Sequence, residues 1–108
     1  MKFKKCQTGF HEFAVIRLAE WIGGQTEVPF FIDGVIAFVP DVVCGNDLYE
    51  VVYSNPVHGR KLGMIQMWSY FNNTNLNLFE VSADWILKQT EKPEVIECTE
   101  IYEINLKT

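Results

Sequence analysis

Apolar positions recur at helical spacing early in the chain. Phe10, Ala14, Leu18 and Trp21 fall on one side of a helix, Val15, Ala19 and Ile22 widen that stripe, and Glu12, Arg17 and Glu20 lie off it. Thr8 stands where an N-cap belongs, and Gly23-Gly24 supplies a stop. Phe13, Val15, Ile16 and Ile22 suit the two-residue period of a strand as well, so helix and strand both stay open for residues 10–22.

From Val28 to Pro40 the pattern becomes almost continuously apolar, broken only by Asp33-Gly34. That dipeptide between two apolar runs predicts a tight hairpin. Pro29 and Pro40 sit at its outer ends, where a missing N–H is tolerated, and the unbroken apolar character predicts strands covered on both faces. Turn residues at Pro40-Asp41 and Gly45-Asn46-Asp47 bracket the short run Val42-Val43-Cys44. Leu48 to Ser54 alternates as a strand, and 55–61 reads as a loop. Leu62, Met64, Gln66, Trp68 and Tyr70 alternate with Ile65, Met67 and Phe71, which predicts a strand over 62–71 lying antiparallel to 48–54. A further strand is expected at Leu76–Val81. Ser82 then caps a short helix over Ala83–Thr90, with Asp84 in its positive first turn. The last element, Glu94–Leu106, reads as a strand with Ile96, Cys98, Tyr102, Ile104 and Leu106 facing inward and a bulge near Glu100-Ile101. These elements define an α+β fold: one domain over residues 1–108, built on a mainly antiparallel sheet, with an N-terminal helix and a short helix before the last strand.

Composition adds that a chain of 108 residues, 48% hydrophobic, is long enough to fold without a metal or disulfide. The three cysteines, Cys6, Cys44 and Cys98, show no paired spacing, and no apolar h-region follows Lys2–Lys5. The expectation is reduced thiols in a cytoplasmic protein with no membrane contact. The net charge of −5 is uneven. Residues 1–24 carry +2, from Lys2, Lys4, Lys5 and Arg17 against Glu12 and Glu20. Residues 80–108 carry −4, from Glu80, Asp84, Glu91, Glu94, Glu97, Glu100 and Glu103 against Lys88, Lys92 and Lys107. Such a surface repels nucleic-acid phosphates and attracts basic partners.

Catalytic chemistry is hard to assemble from the remaining residues. Cys44 and Cys98 lie among apolar neighbours, where cysteine acts as a small hydrophobe, and neither pairs obviously with His11 or His58. Histidine and cysteine spacings do not match a zinc site. His58-Gly59-Arg60-Lys61 is a charged loop tip, because one glycine with no following helix start is no phosphate loop. No catalytic residue, cofactor or metal is therefore expected, and the protein is expected not to be an enzyme.

The acidic C-terminal run is the remaining candidate. Glu94, Glu97, Glu100 and Glu103 recur every third residue through an otherwise apolar segment, and Tyr102, Trp85 and Asp84 lie near them in sequence or in the expected fold. Aromatics beside desolvated charge make interface anchors. Like charges crowded on one strand are favourable only opposite cations, either on a partner or on a neighbouring N-terminal strand Lys2–Lys5. In overall build the chain resembles the small acidic immunity proteins of bacterial toxin systems, those of contact-dependent inhibition and of colicin-type nucleases. No motif anchors the likeness and no functional position transfers through it. It implies a non-enzymatic inhibitor that occludes the basic cleft of a nuclease toxin. Two alternatives stand beside it: a phage-encoded acidic mimic directed at CRISPR or restriction machinery, and a small-ligand or enzymatic α+β domain.

Overall fold

The computed structural model describes residues 5–53 and 59–105, with side chains from residue 9 onward. Helix α1 runs Lys5–Ile22, which settles the ambiguity in favour of the helix. It begins before Thr8, so Thr8 lies inside the helix and does not cap it. Its far end is where the glycines place it. Gly23 adopts φ 67°, and Gly24 N–H donates to Ala19 O at 2.9 Å, closing the last turn. Gly24 is required for a second reason: a Cβ there would stand 2.6 Å from Val42 Cγ1 and 3.0 Å from Val43 O.

The hairpin forms as its turn dictates, with β1 at Phe30–Ile32, β2 at Val35–Phe38, and positive φ at both Asp33 and Gly34. It is a separate two-stranded sheet. The expectation of cover on both faces is corrected: Phe30 stacks on Phe38 and meets Trp68 edge-on, while Phe31, Val35 and Ile36 are exposed.

The main sheet has four strands: β3 (Val42–Cys44), β4 (Asp47–Val52), β5 (Leu76–Ser82) and β6 (Glu100–Ile104), lying side by side in that order. β3 is antiparallel to β4 and β6 to β5, but β4 and β5 run parallel. The sheet is thus mixed, not mainly antiparallel. Parallel neighbours need a crossover, and helix α2 (Gly59–Phe71) supplies it. Residues 62–71 are therefore helix, not a strand beside β4. Alternation over that stretch is genuine but accidental. Ile65 and Ser69 are buried one helical turn apart, with Leu62 and Trp68 flanking them, and only Ile65 is β-branched.

Helix α3 (Ala83–Lys88) follows β5 directly, and Ser82 Oγ accepts from Trp85 N–H at 3.2 Å as its cap. The expected extension to Thr90 is absent, because Gln89 returns to extended backbone. The final strand is also shorter than expected. Residues 94–99 are irregular, and pairing starts where Thr99 N–H reaches Glu80 O at 2.8 Å.

Two cores result, one on each face of the sheet. On one face α1 and α3 bury Leu18, Val42, Val51, Val81 and Ile86. On the other, α2 and the hairpin bury Phe38, Leu48, Ile65, Leu76, Leu78 and Ile104. Fully burying each of these side chains contributes roughly 1.5–3 kcal/mol. No helix among the described residues is long and apolar enough to cross a membrane.

Candidate functional site

The strand register sorts the C-terminal residues onto two faces. Tyr102 and Ile104 join the core under α2, and Glu100 shares their parity. Ile101 and Glu103 point to the opposite face, the one covered elsewhere by α1 and α3. Glu94, Glu97, Glu100 and Glu103 are all exposed, as is Glu91. Among the described residues no ion pair engages any of them; the two ion pairs found there, His11–Asp41 and Lys61–Glu50, lie elsewhere. The expected basic strand Lys2–Lys5 falls largely outside the described residues, which include neither residues 1–4 nor the side chain of Lys5; the backbone of Lys5 opens α1.

Tyr102 is half-buried, and its hydroxyl donates to Glu80 Oε2 at 3.3 Å. Burial, and then the charges of Glu80 and Glu100, raise its phenol above the ordinary value. Trp85 stands apart from this group: it packs edge-on against Trp21, with centroids 6.1 Å apart, within the α1–α3 core. Asp84 is exposed on α3, near enough to Tyr53 for its charge to raise that phenol, a smaller effect than desolvation. Glu94, Glu97, Glu100, Tyr102 and Glu103 thus follow one another along the chain without sharing a face: Glu94 and Glu97 lie in the irregular stretch before β6, Glu100 and Tyr102 on one face of β6 and Glu103 on the other, while Trp85 and Asp84 stand on α3.

The same register shows a surface that the sequence pattern hides. Tyr49, Phe79 and Ile101 form one row across β4, β5 and β6, with Tyr49 and Phe79 stacked at 5.0 Å and Ile101 56% exposed. The next row is Asp47, Asn77 and Glu103, where Asn77 Nδ2 donates to Asp47 Oδ1 at 3.0 Å. An aromatic-aliphatic row thus lies beside a polar, acidic one; Tyr49 and Phe79 are partly buried, Tyr49 against the α1–α3 core, and the row opens to solvent at Ile101.

On the other face one row is Glu50, Glu80 and Glu100, grading from buried to exposed across neighbouring strands. Glu50 belongs to a chain of charged groups that crosses the molecule. His11 Nε2–H donates to Val51 O at 3.0 Å and lies 3.4 Å from Asp41 Oδ2. Asp41 Oδ2 accepts from Val51 N–H at 2.8 Å, and Asp41 N–H donates to Glu50 Oε2 at 3.2 Å. Lys61 Nζ reaches Glu50 Oε2 at 2.9 Å and Val39 O at 3.2 Å. Burial pushes the Glu50 carboxyl up to about 7, the Asp41 charge adds to that, and Lys61 opposes it. The hydrogen bond to Asp41 raises the His11 imidazole against the lowering effect of its burial.

This chain joins His11, Asp41 and Glu50 to Lys61, a residue expected in a charged loop tip. Its one visible signal was a glutamate at an inward parity position, Leu48-x-Glu50 and again Leu78-x-Glu80. The charged loop tip is corrected too, since Gly59 opens α2 and Lys61 turns inward from its first turn; His58 lies outside the described residues. Among the described residues no cluster of three or more His, Cys, Asp or Glu is arranged to hold a metal ion. Cys44 and Cys98 are free thiols, and burial raises that of Cys98.

No family model, curated protein or solved structure matches this chain.

Proposed function

We propose that this protein is a non-enzymatic inhibitor of the immunity type, which binds a basic partner through its acidic C-terminal edge and occludes the cleft of a nuclease toxin. One observation carries the reading. Five glutamates from Glu91 to Glu103 stand exposed, none of them in an ion pair among the described residues, and Glu100 and Glu103 flank the exposed Ile101 on β6. Exposed like charges without internal counter-ions cost stability in isolation and become favourable opposite cations. The exposed Ile101 side chain between Glu100 and Glu103 supplies apolar area that slows release once charge has steered the encounter. The same acidity disfavours direct contact with nucleic acid and with anionic membrane. A viral inhibitor of restriction or CRISPR machinery would present the same chemistry, and the identity of the partner distinguishes the two.

The test is inhibition. A basic nuclease recovered on the immobilised chain from its source cell loses activity on adding one equivalent of the protein and keeps it on adding the Glu97→Lys, Glu100→Lys, Glu103→Lys variant. A nuclease equally inhibited by that variant, or a specific partner whose activity is untouched, contradicts the reading.

Glu50 favours a second reading, acid–base chemistry along His11–Asp41–Glu50–Lys61, because buried carboxyls titrating near neutrality concentrate at functional sites. Turnover of any substrate that disappears in Glu50→Gln while the fold persists selects it.

A further inference from the structure

The two outer edges of the four-stranded sheet differ in what pairs with them. The β3 edge is closed by the chain itself: Gln25 N–H donates to Val43 O and Val43 N–H to Gln25 O, both at 2.8 Å. β6, at the other side, pairs with β5 alone, and among the described residues nothing else adds to it. An open edge is a row of unpaired backbone donors and acceptors, and it templates another strand unless something prevents it.

We infer that the outer edge of β6 receives an extended lysine- or arginine-bearing segment of the partner as a fifth strand. This rests on the acidic-edge reading above and specifies how the partner is held. Main-chain hydrogen bonds supply affinity in this mode and alternate side chains supply selectivity. Glu100 and Glu103 stand exposed on opposite faces of β6, so a cationic side chain on either face of the added strand meets a carboxylate. Ile101, beside Phe79, offers an apolar contact to the side chains between.

A second copy of this chain is the competing occupant, and charge argues against it. Pairing β6 with itself brings Glu100 and Glu103 of two molecules together with no lysine in the strand to offset them. Charged residues on an exposed edge are a recurrent device against self-pairing. That arrangement rejects copies of itself and accepts a strand of opposite sign.

Amide hydrogen exchange, read residue by residue by NMR, tests the inference. The probe is a capped synthetic peptide of alternating lysine and valine, with an alternating glutamate and valine peptide as control. Such a peptide places lysines on one face, beside Glu100 or Glu103, and valines on the other. At low salt the cationic peptide slows exchange across Glu100–Ile104 about tenfold or more and leaves Val42–Cys44 unchanged, and the protection of Glu100–Ile104 is lost in the Glu100→Lys, Glu103→Lys variant. The control peptide does nothing. Cationic peptide that binds without protecting β6 overturns strand addition and leaves the acidic-edge reading standing. Absence of binding at low salt overturns both, and dimerisation of the free protein through β6 assigns the edge to a second copy.

Discussion

The β3 and β6 edges of one sheet are finished in opposite ways, and the contrast separates what holds the fold from what is left to meet a partner. At β3 the chain folds back after α1, and glycine at 24 lets Gln25 lie against Val43. The outward N–H and C=O of Val43 are both paired within the chain. At β6 no further strand among the described residues pairs with the outer edge, and the adjoining glutamates are exposed. Substitutions at the closed edge should damage stability and spare binding, and those at the open edge should do the reverse.

Charge reversal at the open edge has the largest expected effect. Glu97→Lys, Glu100→Lys and Glu103→Lys together weaken a basic partner about 100-fold, at roughly 1 kcal/mol for each rim charge. The melting temperature moves little, because exposed substitutions usually cost within about 0.5 kcal/mol. Titration calorimetry and thermal melts on the same samples check both halves.

Gly24→Ala probes the closed edge. Its Cβ meets a stiff Val42 side chain and the Val43 carbonyl, so denaturant unfolding shows a loss of about 1–3 kcal/mol. Partner affinity, measured where the variant is folded, is unchanged. A Gly24→Ala protein that binds poorly while fully folded would erase the division between the two edges.

The half-buried chain His11–Asp41–Glu50–Lys61 ties α1, the turn before β3, β4 and α2 together, and it makes stability depend on pH. Glu50 rises from an ordinary 4.5 to about 7 on folding, so the folded state holds its proton more tightly. Its favourable contribution is complete below about 4.5 and is lost as pH climbs through about 7. The raised imidazole of His11 acts in the same direction, fully present below 6.5 and lost as pH rises through its higher folded value. Denaturation between pH 5 and 8 should show stability falling by about 2–3 kcal/mol. In Glu50→Gln the lower part of that slope flattens. Stability rising over the range would contradict the assignment.

The smallest effect concerns α3. Ser82→Ala removes the acceptor for Trp85 N–H and costs about 1 kcal/mol in unfolding experiments, without altering the open edge.

Local features are legible in the residues themselves. The end of α1 follows from Gly23-Gly24, the hairpin from Asp33-Gly34, and the start of α3 from Ser82, because in each case the deciding residues are adjacent in sequence. α2 is not, for a physical reason: Met67, Tyr70 and Phe71 are apolar yet exposed, so the helix lacks a polar face and its pattern mimics a strand. Once 62–71 is taken for a strand, the parallel pairing of β4 with β5 is out of reach, since the crossover that permits it has gone. The exposed glutamates of 94–103 are legible as charge, although half of that run is irregular and the sequence does not show which edge they border. The His11–Asp41–Glu50 chain is illegible because it joins residues 30 and 9 positions apart, and nothing local marks a glutamate as buried.

The central claim is that carboxylates at the open edge bind the partner by charge, and the dependence of affinity on salt measures it most directly. For the native chain, raising salt from about 0.05 M to 0.5 M should weaken the complex at least about tenfold, as screening shortens the Debye length. Glu97→Gln, Glu100→Gln and Glu103→Gln together should bind more weakly at low salt and show a flatter dependence. Affinity that ignores salt, or a dependence that survives the neutral variant intact, would contradict the account.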